Sequence, residues 1–159
     1  MSVVYILLSF IISLLLETTL FNRLAIYGAK PDFILIFVVL TAVKKGPMAG
    51  QLYGFIGGLM QDCLSYGVLG VQAMVKTITG FGSGYLKNKL EENSPLLIMI
   101  LVFLVTIFSG FLGALARAFF TSYMFLSHEA VRIVVSAGYN AVLSPFVAMV
   151  VKEIYPAHK

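Results

Sequence analysis

The sequence predicts an all-α integral membrane protein, a bundle of six transmembrane helices with little mass outside lipid. Three observations predict it. Of the 159 residues, 60% are hydrophobic and 11% are charged, against roughly 25% charged in a soluble domain. With a mean hydropathy of +0.98, a chain this short cannot hide its apolar surface in a soluble core, so lipid must solvate much of it. Second, the apolar runs are divided by short basic or polar turns, which leaves no room for an extramembrane domain and points to one domain over 1–159. Third, glycine recurs at 46, 50, 54 and 58, with Asp62 next on the same line. Four-residue spacing puts these positions on one helix face. A face without side chains lets a second helix approach closely, which is how helices pack in lipid.

The first segment spans about 3–21. It has no basic leader and no small-residue cleavage site, so it reads as a retained helix and not as a removed signal. Ser9, Ser13 and Glu17 share one of its faces. The second spans about 31–43, opened by Lys30-Pro31, with proline suited to a first helical turn. The third spans about 47–61. At 1.5 Å per residue these two reach only about 20–22 Å, short of a roughly 30 Å hydrocarbon core. They form a short hairpin enclosed by longer helices, or run slightly past these limits.

The fourth segment spans about 68–86, with Gln72, Lys76, Gly80, Ser83 and Lys87 along one stripe and Gly80 and Gly84 as a second small pair. A charged loop follows. The fifth spans about 95–125 and carries Thr106, Gly110, Gly113, Arg117 and Thr121. Ser127-His128-Glu129 reads as a short turn. The sixth spans about 130–151, with Arg132, Ser136, Asn140 and Ser144 four residues apart and Pro145 as a kink point.

Basic residues then orient the bundle. Lys44, Lys45, Lys87, Lys89, Lys152 and Lys159 fall on one side of a six-helix arrangement, and Arg23, Lys30 and Arg132 on the other. The excess belongs in the cytoplasm, which puts both termini there. The net charge of +4 therefore reads as a topology signal and a contact for anionic lipid heads, with no nucleic acid implied.

In this orientation Glu17, Asp62, Arg117 and Arg132 form an outward polar cluster, with Asp62 and Arg117 expected as a charge pair. Lys76 lies about 12 Å below the outer end of its segment, at a depth similar to Asn140. Two readings of the cluster stand side by side: structural ion pairing, or a ligand or partner site. Lys76 is harder to explain structurally, because its depth limits snorkelling. The glycines at 46, 50, 54, 58, 80 and 84 read as packing positions. Catalysis finds little support. No metalloprotease, nucleophile-elbow or P-loop pattern is present, and one cysteine, Cys63, excludes an internal disulfide. No metal or cofactor is implied.

The run Lys30-Pro31-Asp32, an apolar helix, a basic turn, and then Gly50-Gln51-Leu52-Tyr53-Gly54-Phe55-Ile56-Gly57-Gly58-Leu59-Met60-Gln61-Asp62 resembles the rod shape-determining protein MreD family. Leu69-Gly70-Val71-Gln72-Ala73 and Thr79-Gly80-Phe81 are similar to that family's next helix. The family motif residues here are Pro31, Asp32 and Asp62. Lys30 stands where the family usually has arginine, which keeps the charge but not a two-pronged contact.

The resemblance implies a non-enzymatic, multi-pass protein of the bacterial inner membrane. It implies an MreC-like bitopic partner and, through it, actin-like MreB, a RodA-type glycosyltransferase and a penicillin-binding transpeptidase, in an elongation machinery that makes lateral peptidoglycan. It also implies a fold resembling the S component of energy-coupling-factor transporters. That likeness supplies the alternative function, a vitamin-binding S component, although the first segment lacks the Ala-xxx-Ala pair typical of those proteins. A third class, an ion or proton path through Lys76 and the stripes, needs a continuity that sequence alone does not show.

Overall fold

The structure is a computed structural model that describes residues 29–65, 67–87, 89, 94–121 and 127–155. The first segment and Glu17 lie outside the described residues. Five α-helices follow in order: α1 Phe33–Lys45, α2 Pro47–Leu64, α3 Val71–Gly84, α4 Pro95–Thr121 and α5 Ser127–Ile154.

Helix α1 is the axis of the bundle. Ten consecutive residues, Ile34 to Val43, are buried, and all four other described helices pack against it. A helix apolar on every side belongs in the middle. Its sequence is rich in isoleucine and valine, poor helix formers in water. With apolar surroundings on all sides, the backbone must satisfy its own hydrogen bonds, and a helix does so within one segment. The Asp32 carboxylate caps the start, its Oδ1 accepting from the Leu35 amide at 2.8 Å. Gly46 ends it at φ 100°, a left-handed conformation that favours glycine, and its amide donates to the Ala42 carbonyl. Pro47 then opens α2.

Helices α2 and α3 form the tightest pair, antiparallel and backbone to backbone. A Cβ placed on Gly50 would strike the Gly80 carbonyl, and one on Gly54 the Lys76 carbonyl. At Gly58 it would lie 2.5 Å from the Ala73 Cα, and at Gly84 it would strike Pro47. At Gly46 the nearest neighbour is softer, the Lys87 side chain at 3.3 Å.

Helices α4 and α5 are the two described helices long and apolar enough to cross a membrane, over Pro95–Phe119 and Glu129–Ile154. Along α4, Leu96, Ile100, Leu104, Phe108, Phe111, Leu115 and Phe119 are exposed. A soluble protein does not present so long an apolar stripe to water. Helix α5 continues through Pro145. Proline removes the amide that would serve the Ala141 carbonyl. The Ser144 hydroxyl donates to that carbonyl instead, at 2.7 Å.

Helix bounds depart from the sequence reading by two or three residues at several ends: α1 lies two residues later, at Phe33–Lys45, α3 is shorter at both ends, at Val71–Gly84, and α5 runs on to Ile154. α2 runs three residues further, to Leu64. α5 begins at Ser127, so Ser127-His128-Glu129 is its first turn and not a separate turn. An acidic residue in a first turn is favoured there by the helix dipole.

Candidate functional site

Two ends of the bundle differ in chemistry. At one end, Lys44 donates to the Tyr155 carbonyl, Lys45 lies over the Tyr155 ring at 4.4 Å, and Lys87 donates to the Lys45 carbonyl. Lysines there meet carbonyl groups at helix ends, which suits the dipole. Burial, and then the Tyr53 hydroxyl 3.2 Å away, push the Tyr155 phenol above its usual range.

The opposite end gathers the start of α1, the end of α2, the start of α3, the end of α4 and the start of α5. A cleft of about 580 Å³ opens between them. Its wall includes Asp32, Gln72, Arg117, Glu129 and Arg132. Beneath it, Asp32 organises a buried polar network. Its carboxylate pairs with the ammonium of Lys76, a residue with no exposed surface. Its amide donates to Asn140 Oδ1 at 2.8 Å. The Asn140 amide donates to Thr106 Oγ1 at 3.1 Å, and that hydroxyl donates to the Val102 carbonyl. Lys76 also reaches Gln72 Oε1 at 3.3 Å. The low-exposure lysine thus has a carboxylate and an amide oxygen as acceptors, which a charge held away from water requires.

Gly54 sets this geometry from behind. Because it has no side chain, the α3 backbone closes onto α2 at Lys76 itself. From there the Lys76 side chain extends to α1.

Asp62 has a different environment. The sequence reading pairs it with Arg117. Instead its carboxylate, nearly enclosed at 3% exposure, accepts from the amides of Gly70, Gln72 and Ala73 at 3.0, 3.1 and 3.0 Å. Gly70 starts α3 without a side-chain cap of its own, so Asp62 supplies that cap from the neighbouring helix. Free helix amides prefer a carboxylate.

Arg117 and Arg132 converge on Glu129. Both donate to its Oε2, at 3.3 Å and 2.7 Å. The Glu129 side chain is buried, while those of Arg117 and Arg132 are 29% and 40% exposed. The expected outward cluster therefore divides: Arg117 and Arg132 come together, Asp62 joins α3, and Glu17 lies outside the described residues.

Sequence reasoning missed Glu129 as a site residue. The available signal was its three-residue spacing from Arg132, which places the two on one helix face. It named Asp32 only as a motif residue, and nothing local reveals that Lys76, 44 positions away, is its partner.

These features are a compact helix bundle, an apolar exterior and a polar network anchored on a Pro-Asp helix start. The model of the family described as rod shape-determining protein MreD matches residues 1–154. The chain belongs to the MreD family. MreD proteins are shape-determining proteins and not a known enzyme family, so this membrane protein has a role in rod shape determination. Neither a curated protein nor a solved structure matches the chain. Within this MreD sequence, Pro31 and Asp32 lead into the axial helix, and Asp62 joins the two helices of the glycine contact.

Proposed function

We propose that this MreD protein is a non-enzymatic scaffold of the bacterial elongation machinery. It spans the inner membrane as one six-helix unit with both termini in the cytoplasm, and its fold resembles an S component. In this reading the lysine end faces the cytoplasm, in keeping with the positive-inside rule, and the cleft faces outward. The transmembrane helix of an MreC-like bitopic protein docks on the bundle. Through that partner the protein supports MreB, a RodA-type glycosyltransferase and a penicillin-binding transpeptidase in lateral peptidoglycan synthesis.

The family match over residues 1–154 carries this reading. The described interior supports it: the axis is filled by apolar side chains, and the polar network is occupied by its own partners. Such a body suits holding more than turnover. The long exposed apolar face of α4 offers area for a second transmembrane helix without any loop.

The test is affinity purification from native membrane together with depletion in a rod-shaped host. Recovery of a bitopic, largely periplasmic protein and rounding of the cells are the expected results. The cleft favours the competing reading, an S component. Retention of a vitamin at nanomolar affinity, with loss of uptake and normal shape on deletion, would replace the scaffold with that function.

A further inference from the structure

A second cavity, sharing no lining residue with the cleft, opens on the apolar exterior. It is a groove of about 270 Å³ between α3 and α4. Thr79, Gly82, Ser83 and Leu86 line it from α3, and Leu104 and Phe108 from α4. Spacings of three and four residues put the α3 set on one helix face. Two features of that face have no use among the described residues. A Cβ on Gly82 would meet nothing within 4 Å, so internal packing gives no reason for a residue that weakens a helix. The Ser83 hydroxyl, in a residue of 4% exposure, has no hydrogen-bond partner. Thr77, Thr79, Thr106 and Ser144, by contrast, each donate to a carbonyl of their own helix. Thr41 is also unpartnered, but it sits on the axial helix with no exposed surface, whereas Ser83 borders the open groove.

We propose that this groove seats the transmembrane helix of the bitopic partner, with that helix's backbone against Gly82 and one of its polar side chains hydrogen-bonded to Ser83. The proposal rests on the scaffold reading and says where, and by what chemistry, the partner is held. Depth selects the occupant. Leu104 and Phe108 lie at least about 13 Å from either end of the apolar span Pro95–Phe119, near the middle of a roughly 30 Å hydrocarbon core. Water and lipid headgroups are absent at that level, and an acyl chain offers no hydrogen bond. A buried hydroxyl without a partner is costly in such surroundings. A second helix brings the missing bond, through serine, threonine, asparagine or glutamine, and a glycine lets its backbone come close. Leu104 and Phe108, both more than half exposed, supply the apolar wall opposite. The partner helix therefore carries one of those four polar residues near the middle of its single apolar segment.

The test puts the photocrosslinker benzoylphenylalanine into the full chain in native membrane, one site at a time. Ile78 and Leu104 line the groove; Leu52 on α2 and Phe146 on α5 are exposed positions elsewhere. Crosslinks to the MreC-like protein from the two groove positions, and not from the other two, are the expected result. Ser83→Ala should lower recovery of that protein about threefold, the usual worth of one hydrogen bond between membrane helices. Gly82→Leu fills the open space and should lower it by about tenfold or more, while unfolding of both variants in SDS stays close to that of the parent. If the parent protein recovers no bitopic protein, the scaffold reading falls and this proposal with it. If the bitopic protein is recovered but crosslinks only from Leu52 or Phe146, the scaffold stands and the groove assignment is overturned. Groove crosslinks to a second copy of this chain or to lipid alone overturn it too, as does undiminished recovery in Gly82→Leu.

Discussion

Replacing either partner of the Asp32–Lys76 pair tests the polar network most directly. The Lys76 side chain has no exposed surface, whereas that of Asp32 is 21% exposed. Removing one member of a buried pair costs about 3–5 kcal/mol, because the other charge is left uncompensated. The exposure difference makes the two single variants unequal. Asp32→Asn strands an enclosed ammonium, which retains only amide acceptors such as Gln72 Oε1, and should cost about 4 kcal/mol. Asparagine still caps α1, so the loss is not one of capping. Lys76→Met strands a carboxylate that reaches solvent and still accepts from the Leu35 amide, at a cost of about 3 kcal/mol. The double variant removes both charges and puts an apolar chain in apolar surroundings. It should cost less than the sum of the singles by at least about 2 kcal/mol. Unfolding by SDS titration in mixed micelles, followed by helical circular dichroism, measures all four proteins. Additivity within about 0.5 kcal/mol would refute the pairing argument, and Lys76→Met as the worse single variant would refute the argument from exposure.

Three further outcomes are expected. Gly54→Ala drives a Cβ into the Lys76 carbonyl and within 3.0 Å of the Thr77 amide, costing about 2–3 kcal/mol; Gly82→Ala meets open space and should gain about 0.5–1 kcal/mol from helix propensity, both read by the same SDS titration. Asp62→Asn keeps one oxygen for the Gly70 and Ala73 amides but turns a donor toward the Gln72 amide and should cost about 2–3 kcal/mol, with hydrogen exchange quickest to rise at residues 70–73. Because burial raises the Tyr155 phenol when folded, its contribution is complete below the unfolded value of about pH 10 and declines as pH rises beyond it. Alkaline unfolding should be shallower in Tyr155→Phe than in the parent protein.

Much of this molecule is legible in local pattern. Apolar composition gives the solvent, run length gives the helices, and the Lys44-Lys45-Gly46-Pro47 turn gives the break between α1 and α2. The burial of α1 on every side follows from its lack of any polar face. The stripe of Gly50, Gly54 and Gly58 is likewise a local property, since four-residue spacing fixes a face whatever surrounds it. The candidate site was less legible. Its residues came singly out of the sequence, and their partners did not.

By itself, then, the sequence determined a membrane-embedded helical chain, its turns, and which residues share a helix face. Only the tertiary structure decided that Asp62 caps α3, that Glu129 stands between Arg117 and Arg132, and that Asp32 meets Lys76 and Asn140 across 44 and 108 positions. The physical reason is that hydrophobicity and helical period are set residue by residue along the chain. The choice among several carboxylates and cations depends instead on helix rotation and register, which are fixed where backbones touch at Gly50, Gly54 and Gly58.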